Sequence, residues 1–255
     1  MKKILYFTLI IQTSLLFSQG SIKQGKVNYR IDINMGIPVS TQYSLLFNNN
    51  SSYFYEGNIV NKNRGTAKAD QNFIEDYVNG MSPSPKSFYY KEIDKNSIYY
   101  NDQTLQRTYD IVDHEISYDW KISGDGKKIG NYSCLKATTN FRGRDYTAYF
   151  TEDIPLPYGP NKWFGLPGLI LEIYDNDYLY HAQALNVNLS TTDLLGFIEK
   201  IKNKKFISYK TFLNKMCEDM DEFASIMQSR LPKGLSNFKA QLPKDPLEIL
   251  EITCN

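Results

Sequence analysis

Histidine is nearly absent from this 255-residue sequence, which holds only His114 and His181. Tryptophan occurs twice and cysteine three times, at Cys134, Cys217 and Cys254. Neither GxSxG nor HExxH is present, and no glycine loop has the spacing that cradles a phosphate. These gaps exclude the nucleophile-elbow hydrolases, the HExxH zinc proteases and the common nucleotide-binding folds. Charge of either sign is not in excess, since 29 Lys and Arg against 28 Asp and Glu leave a net +1. A nucleic-acid footprint or a polybasic membrane patch would need a local surplus of positive charge. No CxxC pair exists, which weakens metal and redox readings of the cysteines.

The start of the chain has the pattern of an export signal. Met1-Lys2-Lys3 is basic, residues 4–17 are almost wholly apolar or small, and Ser18-Gln19-Gly20-Ser21 offers a cleavage site. Cleavage is expected after Gln19, with residues 20–255 forming a single domain. The apolar run is shorter than the ~20 residues of a spanning helix, and no later stretch reaches that length. No cysteine follows it at a lipidation position. An exported chain meets oxidising conditions, so one disulfide is allowed among the three cysteines, with the pairing left open.

Aromatic residues are the surplus: 20 tyrosines and 14 phenylalanines favour half-buried strands. Val27, Tyr29, Ile31 and Ile33 alternate as a first strand, with a return strand at 41–47 and a short one at 53–55. The pattern breaks over 58–85, read as a long loop with a short helix near 73–78. Strand signals resume over 87–91, 97–100, 105–111, 115–122 and 127–140, with Gly124-Asp125-Gly126 as a tight turn. Phe141-Arg142-Gly143-Arg144-Asp145 reads as a hairpin tip, and strands follow at 146–151 and 178–189. Thr192-Asp193 is placed to cap a short helix through 200. Phe212, Leu213, Met216, Met220, Phe223, Ala224 and Met227 then form one helical stripe over 208–230, and 249–252 reads as a final edge strand.

The segment Tyr158-Gly159-Pro160-Asn161-Lys162-Trp163-Phe164-Gly165-Leu166-Pro167-Gly168-Leu169-Ile170 joins a constrained loop to a buried strand. Leu166-Pro167-Gly168-Leu169 fits a type II turn, with positive φ expected at Gly168. Leu169, Leu171 and Ile173 are expected on one face of the strand, and Glu172 and Tyr174 on the other. Tyr158, Trp163 and Phe164 on the braced loop are candidates for a ligand pocket or a partner surface, or caps on the end of the β core. Arg142 and Arg144 flank Gly143 as a candidate anion-binding fork, or as two solvated arginines. Asp110, Asp113, His114 and Glu115 form the one acid-and-imidazole cluster. Adjacent residues of a strand point to opposite faces, so no metal site is expected there.

From Trp120 to Asp175 the chain closely resembles the GLPGLI family. The core of that name stands unchanged as Gly165, Leu166, Pro167, Gly168, Leu169 and Ile170. KATT at 136–139, FRGR at 141–144, YGP at 158–160 and LEIYD at 171–175 look like the family's other recurring pieces. The resemblance implies an exported protein of a two-membrane bacterium and carries over no catalytic residue. The strand pattern is also similar to the periplasmic lipoprotein-carrier fold, an analogy of fold alone.

Together these readings predict a mainly β (α+β) chain, a curved antiparallel sheet or half-barrel with a C-terminal amphipathic helix. The expected function is a periplasmic or secreted, non-enzymatic binding or carrier module for a hydrophobic or peptide-like ligand, without cofactor or metal. One alternative is a cell-envelope interaction protein working through an exposed aromatic surface around Trp163. Another is a cysteine-dependent enzyme pairing Cys134 with His114 or His181.

Overall fold

The computed structural model describes residues 24–36, 38–57, 87–104, 107–190, 194–230 and 247–248. The expected signal peptide, the loop at 58–85, the Thr192-Asp193 cap and the strand at 249–252 lie outside the described residues.

Alternation of apolar and polar residues produces the strands. β1 (Gln24–Asn34) buries every second side chain, with Val27, Tyr29 and Ile31 turned inward. It leads a meander of β2 (Pro38–Asn48), β3 (Ser51–Glu56), β4 (Phe88–Glu92), β5 (Ile98–Gln103) and β6 (Thr108–Asp113). The chain then crosses to the opposite edge. There β7 (Lys121–Ile129), β8 (Tyr132–Phe141), β9 (Arg144–Thr151), β10 (Leu169–Asp175) and β11 (Tyr180–Asn188) meander back, and β11 closes on β1. β12 (Ile207–Ser208) adds in parallel to β6. The result is one open sheet of 12 strands in the order β12-β6-β5-β4-β3-β2-β1-β11-β10-β9-β8-β7. The open edge at β7 carries Lys121, Lys127 and Lys128 and a register shift, features that discourage pairing with another chain.

That register shift corrects one expectation. Gly124-Asp125-Gly126 is not a turn but a bulge inside β7; the turn falls at Gly130, whose φ is +56°. Glycine is needed at 126 because a Cβ there would sit 2.3 Å from the Cys134 carbonyl oxygen. Of the strand expected at 115–122, residues 115–120 run outside regular structure. Their side chains serve the interior instead: Ile116 is fully buried, and the Tyr118 and Trp120 rings pack on Trp163.

The expected short helix is α1 (Leu195–Lys202), and the helical stripe forms α2 (Tyr209–Arg230). Ser208 caps α2, its Oγ accepting from the Thr211 amide at 3.1 Å. Phe212, Met216 and Met220 are buried, whereas Phe223, Ala224 and Met227 are only half-buried, so the first half of α2 does the packing. Fully buried Asp219 anchors it, accepting from Arg107, from Thr104 and, at 3.2 Å, from the Tyr109 hydroxyl. Cys217 on α2 is disulfide-bonded. Cys134 is free and buried, and Cys254 lies outside the described residues. No helix among the described residues is long and apolar enough to cross a membrane.

Ile98, Tyr100 and Ile111 from one meander share a single core with Ala137, Tyr146 and Phe150 from the other. Strands so far apart in the order can meet only if the sheet curls. The loop 154–168 lies in the hollow: Tyr158 meets Phe47 of β2, Phe164 meets Lys91 of β4, and Trp163 meets Tyr146 of β9.

Candidate functional site

The loop is stiff because its backbone groups bond within itself and to β10. Gly165 N donates to Pro157 O at 3.1 Å, Trp163 N to Pro160 O at 3.1 Å and Ile170 N to Tyr158 O at 2.9 Å. Asn161 and Gly165 take the left-handed conformation, at φ +51° and +92°. The type II turn expected at 166–169 does not form: Gly168 has no positive φ, and the Leu169 amide bonds Ile154 O at 3.0 Å. Gly168 is required for space, because a Cβ there would lie 2.1 Å from the Thr151 carbonyl oxygen.

The three aromatic candidates do not make an exposed patch. Trp163 is 1 % exposed, ringed by Tyr118, Phe141 and Tyr146 at centroid distances of 5.1, 5.5 and 4.2 Å. Tyr158 is equally buried, and Phe164 is half-buried. Large rings fill the hollow of a curled sheet better than aliphatic side chains do, and this use consumes them. The Tyr158 hydroxyl and Trp163 Nε1 have no partner among the described residues. Tyr158 and Phe164 also wall a groove of about 320 Å³ with Lys91. Lys91 Nζ donates to Glu92 O at 3.0 Å and lies 4.4 Å from the Phe164 ring centre. Burial pushes its ammonium down to about 8.

Arg142 and Arg144 do not act as a fork, because each turns to its own acid. Arg144 lies 3.9 Å from Asp175. Arg142, at the hairpin tip with φ +44°, reaches Asp113 Oδ2 at 2.7 Å and Glu248 Oε2 at 2.5 Å. Glu248 is the centre of a buried ion cluster. Its other oxygen, Oε1, accepts from Lys162 Nζ and from the Tyr209 hydroxyl, both at 3.0 Å. Side-chain exposures of 2 % for Lys162, 2 % for Glu248 and 1 % for Asp113 show how completely water is removed. Arg142 stacks on the Tyr209 ring at 4.0 Å, and Lys162 lies 4.6 Å from the Tyr100 ring centre. Tyr118 fixes the Lys162 backbone, its hydroxyl donating to the carbonyl at 2.8 Å. Beside Glu248, Leu247 enters the core, and its carbonyl accepts from the Tyr146 hydroxyl at 2.6 Å.

Burial by itself would raise the Glu248 carboxyl, but Lys162 and Arg142 outweigh it and hold the group below the usual carboxylate range. Burial likewise opposes the Arg142 charge, and Glu248 and Asp113 overcome that, raising its pKa. Burial drives the Tyr100 and Tyr118 phenols well above their ordinary range and raises Tyr209 too. Around neutrality Glu248 is therefore ionised, Arg142 charged and the phenols protonated. Such a constellation keeps the Glu248 carboxylate in its charged form.

A second cluster lies on the other face of the sheet. Glu172 faces away from Ile173, as expected, but that face is covered as well: every residue from Leu169 through Ile173 is buried, across a register shift between Ile170 and Glu172. Glu172 pairs with Lys127, and His181 Nε2 lies 3.0 Å from its Oε1. Burial raises its carboxyl, but hydrogen bonds from His181 and Lys127 prevail and lower it. His181 also stands edge-on to Tyr174, which stacks on Tyr178 at 4.8 Å.

Cys134 does not meet either histidine. It lies on β8 and His181 on β11, three strand spacings or about 14 Å across the sheet. His114 is exposed, beside the Ser97 hydroxyl at 2.7 Å. Burial pushes the Cys134 thiol up to about 11, against nucleophilic use. Among the described residues no three His, Cys, Asp or Glu side chains gather as a metal site. Of the acidic run, Asp113 turns inward to Arg142, Asp110 pairs with Lys204 at 2.7 Å, and Glu115 is exposed.

Sequence reading selected Arg142 but missed Lys162, Tyr209 and Glu248. Lys162 stood inside the most distinctive loop, which was the available signal. Residues 142–172 match a family described as a protein of unknown function, Porph_ging, and that span runs from Arg142 through Lys162 to Glu172. No curated protein matches the chain. Among solved structures the fold is similar to PNGF-II in its P21 and C2 crystal forms, each with a TM-score of 0.53 and with 13% and 14% identity. The likeness covers 78% of this chain but 34% and 33% of the PNGF-II chains, so this chain spans about a third of that protein's length. At such identity the shared feature is the fold.

Proposed function

We propose that the chain is an exported, non-enzymatic binding module for a peptide-like ligand, working in the periplasm, and a member of the GLPGLI family. The observation that carries this reading is the ion cluster around Glu248. It brings two cationic side chains from separate elements onto one buried carboxylate, the arrangement a site for acidic groups would use. Buried aromatic rings behind it fix the geometry at low entropic cost, as a binding site requires. The test is to express the full chain in a two-membrane bacterium and fractionate it. The mature protein is expected in the periplasm, beginning at Gly20, with a peptide-sized adduct by native mass spectrometry. Retention in the cytoplasm with an intact start, or adduct-free protein throughout, overturns the reading.

A second reading, an envelope-assembly protein acting through an exposed aromatic surface, is favoured by Tyr178 rather than Trp163. Tyr178 is 56% exposed, held at φ +52° and stacked on Tyr174. A partner crosslinked in cells and lost on Tyr178→Ala, with wild-type stability, supports it; a crosslink unchanged by that substitution removes it.

A further inference from the structure

Two buried hydrogen-bond donors that lack a matching acceptor line one groove. The groove, of about 320 Å³, lies between the turn that follows β4 and the loop 154–168. Its donors are Tyr158 and Lys91, 1 % and 6 % exposed. The Tyr158 hydroxyl has no hydrogen-bond partner among the described residues. Burial raises its phenol, and Tyr90 and Asp94 raise it further, so the hydroxyl sits on the side of the β4–β5 turn. The Lys91 ammonium has three hydrogens to place. It donates to the carbonyl oxygens of Glu92, at 3.0 Å, and of Lys95. Both acceptors are neutral, and among the described residues Lys91 forms no ion pair, because the Glu92 carboxylate turns to Lys95 at 2.6 Å. Glu92 supports the Lys91 charge from a distance, but burial outweighs it. The Phe164 ring, 4.4 Å away, offers a π face rather than a counter-charge.

We propose that this groove binds a carboxylate carried on a small apolar body, its oxygens accepting from Lys91 Nζ and Tyr158 Oη. The proposal rests on the binding-module reading and gives the ligand a place apart from the Glu248 cluster. Charge sets the choice of group. Both donors call for an acceptor, and a buried cation without an acid of its own favours a charged one. An amide would satisfy the Tyr158 hydroxyl but leave the Lys91 charge unmatched, and an amine would add a second positive charge beside it. Ile93, Pro157 and Phe164 supply the apolar walls for the body. Asp94 and Lys95 are exposed, where solvent weakens their pull, so the buried ammonium governs the site. A free fatty acid and the carboxyl end of a peptide share this chemistry.

The probes are octanoate, octanamide, the tripeptide Ala-Ala-Phe with a free carboxyl end, and the same tripeptide amidated. Each is titrated calorimetrically into the full chain. At least one acid is expected to bind saturably and roughly tenfold more tightly than its amide, and the acid that does so names the source. Tyr158→Phe removes only an unpartnered hydroxyl, so the protein stays folded in a thermal melt while acid affinity falls about fivefold. Lys91→Met, in a chain shown to be folded by the same melt, erases the preference for acid over amide. Equal binding of acid and amide, no saturable binding of any probe, or acid affinity unchanged in the folded Tyr158→Phe chain overturns the proposal. If that happens while the exported protein still carries a peptide adduct, the groove is excluded and the binding-module reading stands.

Discussion

Glu248 and Glu172 are both carboxylates held by two nitrogen-bearing side chains, and both titrate below the ordinary range. Their surroundings differ. Around Glu248 the cations are Lys162, 2 % exposed, and Arg142, 20 % exposed. Around Glu172 the partners are Lys127, 40 % exposed, and His181, 21 % exposed. The Glu172 contacts tie together strands of the same meander, which the backbone ladder already aligns. The Glu248 contacts join a hairpin tip, a loop, a helix start and a late segment that share no ladder. Thus one cluster decorates a sheet, while the other decides how distant parts of the chain close over its hollow.

The largest effect that sharpens this contrast is expected from Glu248→Ala. It removes the buried carboxylate that Arg142 and Lys162 share, leaving Asp113 on Arg142, and breaking a buried pair this way costs about 3–5 kcal/mol. For a domain of this size that lowers Tm by roughly 10 °C, read by calorimetry. A loss no larger than that of Glu172→Gln would erase the distinction between the clusters.

Acid provides the intermediate test. Both carboxyls have depressed folded values, so the stability they contribute is fully present above the ordinary carboxylate pKa and is lost as pH falls through the lower folded values. A melt series from neutrality downward is expected to hold steady and then fall below about pH 4.5, the ordinary value for glutamate. Glu248→Gln should flatten more of that fall than Glu172→Gln; the reverse order would put the sensitive cluster on the wrong face.

The smallest effect belongs to Glu172→Gln. Gln keeps the size and one acceptor, and the lost pair is with a half-exposed lysine, so about 1 kcal/mol or less is expected from denaturant melts. A loss above 2 kcal/mol would show that Glu172 is as tightly coupled as Glu248.

The parts legible in the sequence were those with a local period. β1 alternates every second residue, and the stripe led by Phe212 and Met216 repeats as a helix does, so both emerged close to their observed bounds. Glycine was legible as a marker but not as a cause. Gly168 was assigned to a turn, while it is Gly165 that takes positive φ and Gly168 that makes room for the Thr151 carbonyl. Gly124 and Gly126 suggested a hairpin and made a bulge. The aromatic loop stood out by composition, but a sequence cannot show whether a ring faces solvent or the hollow of a sheet.

What the sequence by itself determined was most of the strands, the long amphipathic helix and the hairpin tip at Gly143. Each depends on interactions between residues a few positions apart. Tertiary structure alone decided that Arg142 meets Asp113 across 29 positions and Glu248 across 106, and that Lys162 meets Glu248 across 86. Those meetings follow from the curl of the sheet, summed over many strand twists, and no local pattern encodes that sum.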